Sequence, residues 1–149
     1  MPSAPVVAAV SFVGLWASML VLCAPTLASS ACRRLFAAGP SEYLLVNYAA
    51  GVGGFTFVHV LLVFAGALVN QVVRVTIGWW FVGVTLFVAA AGWWAASVRA
   101  PKRGVWDPTT SGVDGRAVLG VTAVWYVVWS FALAALFAFA WFLRYYPGG

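Results

Sequence analysis

Residues 44–69 read LLVNYAAGVGGFTFVHVLLVFAGALV, with no Asp, Glu, Lys or Arg from one end to the other. At about 1.5 Å of rise per residue, a helix of this length crosses a hydrocarbon core of about 30 Å. A soluble domain could bury such a helix only inside a polar shell, and the rest of the chain does not supply one. Of 149 residues, 64% are hydrophobic and only 7% charged, against about a quarter charged in an ordinary soluble domain. Outward from this run lie three more apolar stretches free of acidic and basic residues, 6–28, 75–98 and 117–143. The short alternating segments of a membrane barrel are absent. The expectation is an all-α, multi-pass integral membrane protein: one domain of four helices, packed as an antiparallel up-down bundle.

The run 6–28 has no basic residue ahead of it and exceeds the roughly 7–15 residues of a signal-peptide core, so it reads as a membrane helix. Pro25 predicts a kink or an early stop near its end. The connection 29–43 carries Arg33, Arg34 and Glu42, with a turn at Gly39-Pro40. The connection 70–74 forces a tight hairpin, and 99–116 is the longest link, with turns at Asp107-Pro108 and 112–115. Both ends of the chain lie close to a span, so no soluble domain is expected, and no Asn-x-Ser/Thr acceptor is present. Loops 29–43 and 99–116 carry Arg33, Arg34, Arg99, Lys102, Arg103 and Arg116, whereas the other side has only Arg74 and Arg144. The positive-inside count therefore places both termini outside. Arg33, Arg34, Arg99, Lys102 and Arg103 read as lipid head-group contacts, and they are too few to make a nucleic-acid-binding face.

His59 is the only histidine, and it sits deep in an apolar run. Ionisable groups in hydrocarbon are expensive and mark function. A neutral imidazole there can bridge helices, ligate haem b with Met19 or a partner subunit opposite, or contact a quinone. The spans contain no carboxylate, which removes general acid–base pairs and a proton relay. One histidine with two distant cysteines cannot fill a metal coordination sphere. Cys23 reads as a packing residue, and Cys32 as a site for palmitoylation if it faces the cytosol. No catalytic residue and no metal site are therefore expected.

Helix packing gives the other candidates. Asn47, Gly51 and Gly54 recur at spacings of four and three, so they share a face on which another helix approaches closely and Asn47 hydrogen-bonds across. Thr56, His59 and Gly66 fall on a second, broader face. Nine tryptophans are present. Trp79 and Trp80 precede Trp93 and Trp94 by a membrane-spanning distance and are expected at the two interfaces. Trp125 and Trp129, one turn apart, read as a face against a partner or a lipid.

Trp79-Trp80-Phe81-Val82-Gly83-Val84-Thr85-Leu86-Phe87 resembles the third helix of synaptogyrins, in the MARVEL-domain tetraspan family. Gly112-Val113-Asp114-Gly115-Arg116-Ala117 is similar to the loop entering their fourth helix, with Trp129 near its middle and Arg144-Tyr145 at its end. Glu42-Tyr43-Leu44-Leu45-Val46-Asn47 resembles related plant proteins. The likeness spans roughly 79–145. Cys32 alone stands where vesicle members carry paired luminal cysteines, and the family keeps both termini cytosolic, against the charge count. The resemblance implies a non-catalytic scaffold, an accessory subunit of a membrane complex or a vesicle organiser, in a eukaryotic endomembrane. Its partners would be lipid and other integral membrane subunits rather than a soluble substrate. The alternative is a redox membrane-anchor subunit using His59, in a mitochondrial inner or prokaryotic plasma membrane.

Overall fold

The computed structural model describes residues 4–73, 77–109 and 113–145, with side chains for 12–66, 78–109, 113–140 and 142–143. Among these the chain is helical and contains no strand. Helix α1 (Ala4–Cys23) runs into a 3-10 turn (Ala24–Ala28), followed by α2 (Ser30–Ala37) and α3 (Leu44–Val73). Helix α4 (Ile77–Trp94) continues through a π turn (Ala95–Arg99) into the short α5 (Ala100–Lys102), and α6 (Gly115–Tyr145) ends the description. Three helices are long and apolar enough to cross a membrane, Leu44–Gly66, Gly78–Lys102 and Gly115–Ala140. There are up to four if the bent pair formed by α1 with its turn and α2 is one span.

The first run departs from expectation at both proline and loop. Pro25 has no N–H, so α1 stops at Cys23 and the chain tightens into the 3-10 turn. The Thr26 hydroxyl donates to the Cys23 carbonyl at 2.7 Å, and Ser29 adopts an extended ψ of 130°. The chain then bends by 114° into α2, where a plain loop was expected. Ala31, Cys32, Leu35 and Phe36 recur at helical spacing, and this is the signal that places one face of α2 inward. Ala31 and Cys32 are buried, so Cys32 offers no exposed thiol for acylation. Helix is also longer than expected elsewhere. Residues 70–73 belong to α3, whereas Arg74 lies outside the described residues, as do Gly112 and the side chain of Arg144.

The helices pack in sequence order and close on themselves: α1 on α3, α3 on α4, α4 on α6, and α6 back on α1, with α2 resting on α3 and α6. Phe12 meets Phe57 while Leu20 meets Tyr48; His59 meets Thr85 while Leu62 meets Trp80; Phe81 meets Phe131 while Trp93 meets Arg116. The core holds Met19, Cys23, Tyr48, Ala89 and Tyr126, with a second cluster of Ala31, Cys32, Trp106 and Leu119 under α2. The outer faces of α3, α4 and α6 display Phe57, Leu61, Phe87, Val121 and Phe139, as helices solvated by lipid would.

Helix ends are closed by local chemistry. Gly104 has φ +68°, and the N–H groups of Gly104 and Val105 return to the carbonyls of Pro101 and Ala100, a Schellman closure that needs a glycine. Asp114 caps α6, its Oδ1 accepting the Arg116 N–H at 2.9 Å. Asp107 Oδ1 accepts both the N–H and the hydroxyl of Thr109. These bonds, then the charges of Arg34 and Arg116, hold its carboxyl below the usual carboxylate range.

Proline creates a specific debt in the π turn. The Ala100 N–H reaches back to Ala95, and Pro101 has no N–H for the carbonyl of Ala96. The indole of the buried Trp106 donates to that carbonyl at 2.8 Å. Trp106→Phe is expected to lower stability in detergent by about 1–3 kcal/mol, the effect of leaving a buried acceptor unmade. Trp79→Phe, at a residue 75% exposed, is expected to change it by less than about 0.5 kcal/mol. Thermal melts followed by circular dichroism compare the two, and equal effects would refute the assignment.

Candidate functional site

Three helices each bring one polar side chain to the same place. On α3, Thr56, His59, Val60 and Val63 recur at helical spacing and face inward, placing the imidazole in the interior. On α4, Thr85 sits among Val84, Val88 and Ala89 and is fully buried. On α6, Tyr126 and Ser130 lie one turn apart on the buried face. The imidazole spans the gap: Nδ1 lies 2.8 Å from the Tyr126 hydroxyl, and Nε2 lies 3.0 Å from Thr85 Oγ1.

This geometry suits a neutral ring. One nitrogen carries a proton and donates to a hydroxyl, while the other accepts from the second hydroxyl. Either tautomer satisfies both nitrogens, because each hydroxyl both donates and accepts. Phe81 stacks on the imidazole at 6.1 Å and 25°, and Phe55 meets the Tyr126 ring edge-on at 5.1 Å. Ser130 returns its hydroxyl to the Tyr126 carbonyl at 2.8 Å. Thr56 Oγ1, close to the Tyr126 hydroxyl, is buried and makes no hydrogen bond of good geometry. A cavity of about 120 Å³ adjoins the cluster, lined by His59, Thr56, Met19 and Phe81 among others.

The arrangement can hold three helices in register, and it leaves no nitrogen of His59 facing open space. An axial bond to haem would require the ring to release Tyr126 or Thr85. Met19 lines the same cavity, whose volume is well below the roughly 300–1,000 Å³ of ordinary ligand pockets. The residues present do not fit haem. No group of three or more His, Cys, Asp or Glu residues gathers as a metal site among the described residues.

The other sequence candidates scatter. Asn47 is buried, but it clamps the loop before its own helix: Nδ2 donates to the Ser41 carbonyl at 2.7 Å, and Oδ1 accepts the Ser41 N–H at 3.0 Å. Gly51 faces the Phe36 ring of α2, and Gly54 is exposed with open space around it. Gly53 is the glycine that admits a close neighbour, the Trp16 indole. Gly66 is buried beneath Trp80, whose indole donates to the Leu62 carbonyl one turn earlier.

Of the expected interfacial tryptophans, Trp79 faces outward, and Trp94 does so with the Arg99 guanidinium 6.0 Å from its ring centre. Trp93 donates to the Arg116 carbonyl, and Trp125 donates to that of Leu22, three residues before Pro25. Trp129 meets Trp125 edge-on at 5.7 Å, its own indole N–H buried without a partner. Arg33 donates to the Leu27 and Ala28 carbonyls, closing the 3-10 turn. Lys102 and Arg103 are exposed. Arg34 has two guanidinium nitrogens, Nε and Nη2, buried with no hydrogen-bond acceptor.

Sequence reasoning missed Thr85, Tyr126 and Trp106 as partners. The signal for the first two was present: His59, Thr85 and Tyr126 are each a polar group well inside its own apolar run. No family model, curated protein or solved structure matches the chain.

The imidazole bridge makes a double-mutant prediction. His59→Leu leaves two buried hydroxyls unpaired and is expected to lower stability by about 1–3 kcal/mol. Combined with Tyr126→Phe, it should show a coupling of about 0.6–1.7 kcal/mol, the range for hydrogen bonds between membrane helices. Additive losses across the cycle, measured by denaturant titration in detergent, would remove the bridge from the account.

Proposed function

We propose that this chain is a non-catalytic four-helix membrane protein. It crosses the bilayer four times as an up-down bundle and acts as a scaffold or as an accessory subunit of a larger membrane complex. The observation that carries this reading is the closed bookkeeping of the interior. His59, Thr85 and Tyr126 hydrogen-bond one another, and no nitrogen of the imidazole is left to a substrate. What remains available is the outside, where Phe57, Leu61, Phe87, Val121 and Phe139 give three helices apolar faces suited to lipid and to other membrane helices.

The likeness of residues 79–145 to synaptogyrins supports a MARVEL-like membrane organiser in a eukaryotic endomembrane or vesicle. The fourth crossing in this reading is α1 together with its 3-10 turn and α2. The 114° bend would lay α2 along the membrane surface, with Arg33 at the head groups.

The test is affinity purification of the tagged full chain in a mild detergent, with mass spectrometry and an absorption spectrum on the same sample. A stoichiometric set of integral membrane partners and a spectrum without visible bands are the expected results. A Soret band that survives purification and vanishes in His59→Ala would overturn the reading in favour of a redox anchor. A lone monomer whose loss changes no complex or vesicle would overturn the scaffold role.

A further inference from the structure

Several hydroxyls inside these helices give their protons to their own backbone. Ser97, Thr122 and Ser130 each donate to the carbonyl four residues earlier, those of Trp93, Val118 and Tyr126. Thr56 does not. It is 2% exposed, and its Oγ1 is buried with no hydrogen-bond partner. The Tyr126 hydroxyl lies close by, but it is engaged by His59 Nδ1 at 2.8 Å. An unpaired hydroxyl inside a bilayer has no water to fall back on, so it is an expensive group.

Thr56 stands on the wall of the cavity of about 120 Å³ that adjoins the imidazole cluster. Leu15, Val63, Phe81 and Ala134 make the rest of that wall almost wholly apolar, and none of its described residues is acidic or basic apart from His59. Phe64 and Phe137, also on the wall, are exposed, and they mark where the cavity reaches the outer surface. Ser130 lines it too, beside the Tyr126 hydroxyl as Thr56 is, and its oxygen keeps lone pairs free to accept. An apolar void of about 150 Å³ takes up benzene, so one of this size holds about five non-hydrogen atoms. A single water, with a share of about 30 Å³, would leave most of it empty. The larger cavity of about 220 Å³ beside Ala123, under α2, carries no comparable signal. Thr26, Thr122 and Tyr126 on its wall are all engaged, so no unpaired hydroxyl selects an occupant there.

We propose that the cavity beside Thr56 binds a small uncharged alcohol, whose hydroxyl accepts from Thr56 Oγ1 and donates to Ser130 Oγ. The class of ligand follows from the wall. A charged molecule would find no counter-ion, and a pure hydrocarbon would leave Thr56 unpaired. An alcohol both accepts and donates, and its short apolar body fills the remaining space. Such molecules dissolve in lipid and reach the opening at Phe64 and Phe137 from the bilayer. The imidazole takes no part, and the site does not depend on the scaffold role.

The chain has two methionines, and Met19 lines this cavity. A sample labelled at the methionine methyl groups therefore gives one NMR signal from inside the site. The full chain, purified in a mild detergent, is titrated with n-butanol and with pentane, in which a methyl replaces the hydroxyl. A saturable shift of the Met19 signal is expected with both. Thr56→Val keeps the shape of the wall and removes its hydroxyl. It should weaken butanol binding about three- to twentyfold, the effect of one hydrogen bond in a membrane interior, and leave pentane unchanged. Comparing the two chains cancels the partition of each probe into detergent. Ala134→Leu, which fills the cavity, should abolish both shifts while keeping helicity by circular dichroism. Val63→Phe, on the α3 wall, serves should Ala134→Leu fail to fold.

Equal butanol affinity in the unmodified chain and in Thr56→Val would overturn the proposal. So would a saturable shift that persists in the filled variants. No saturable shift in the unmodified chain would overturn it as well, and would leave Thr56 to water alone.

Discussion

A main-chain carbonyl in an apolar interior has no water to turn to, and most of this fold follows from where those carbonyls find donors. Regular helix supplies them along its length, but not at its ends or where proline removes the N–H. Pro25 cannot donate to the carbonyls a turn before it, and Trp125 of α6 reaches Leu22 from a neighbouring helix. Pro101 cannot donate to Ala96, and Trp106 does so from the following loop. Tyr48 and Trp80 make the same kind of stitch to Leu20 and Leu62 without a proline to prompt them. The indole suits this role because it donates and never needs to accept, so it adds no unmet group of its own.

The same constraint explains why the polar side chains converge. Lipid tails are as apolar as leucine, so helices do not associate in a bilayer to hide hydrocarbon from water. They associate where packing is close and where polar groups can pair. The imidazole of His59 is suited to a site between two hydroxyls because, neutral, it is donor on one side and acceptor on the other. Small residues do the remaining work of approach. Gly53 admits Trp16, Gly66 lies under Trp80, and Gly92 receives Phe55.

Much of the fold was legible before any contact was known. The apolar runs marked the long helices, whereas Asp114, Gly104 and Pro101, local signals whose meaning is set by their own backbone neighbours, went unread. The bend after Pro25 was foreseen as a stop, but not as a second helix. The periodicity of Ala31, Cys32, Leu35 and Phe36 covers barely two turns beside two arginines, too little to outweigh a loop reading. Among the candidate sites, His59 stood out as the one ionisable group deep in a span, tyrosines and cysteines aside, whereas its partners could not be named. Asn47 and Gly54 misled because spacing alone says which residues share a face. It does not say whether that face meets a helix, a loop or lipid.

By itself the sequence determined that the chain is helical, that its long segments need an apolar surrounding, and that carboxylates are missing from their interiors. These follow from composition and run length, which act residue by residue and require no knowledge of neighbours. Tertiary structure alone decided that Tyr126 and Thr85 close on His59, that Trp106 serves Ala96, and that a cavity remains beside Ala123. The first joins residues 26 and 67 positions apart, whereas the second closes a loop of ten. Such a pairing depends on helix rotation and axial offset, and an error of one residue turns a helix by about 100° and carries a side chain from core to lipid.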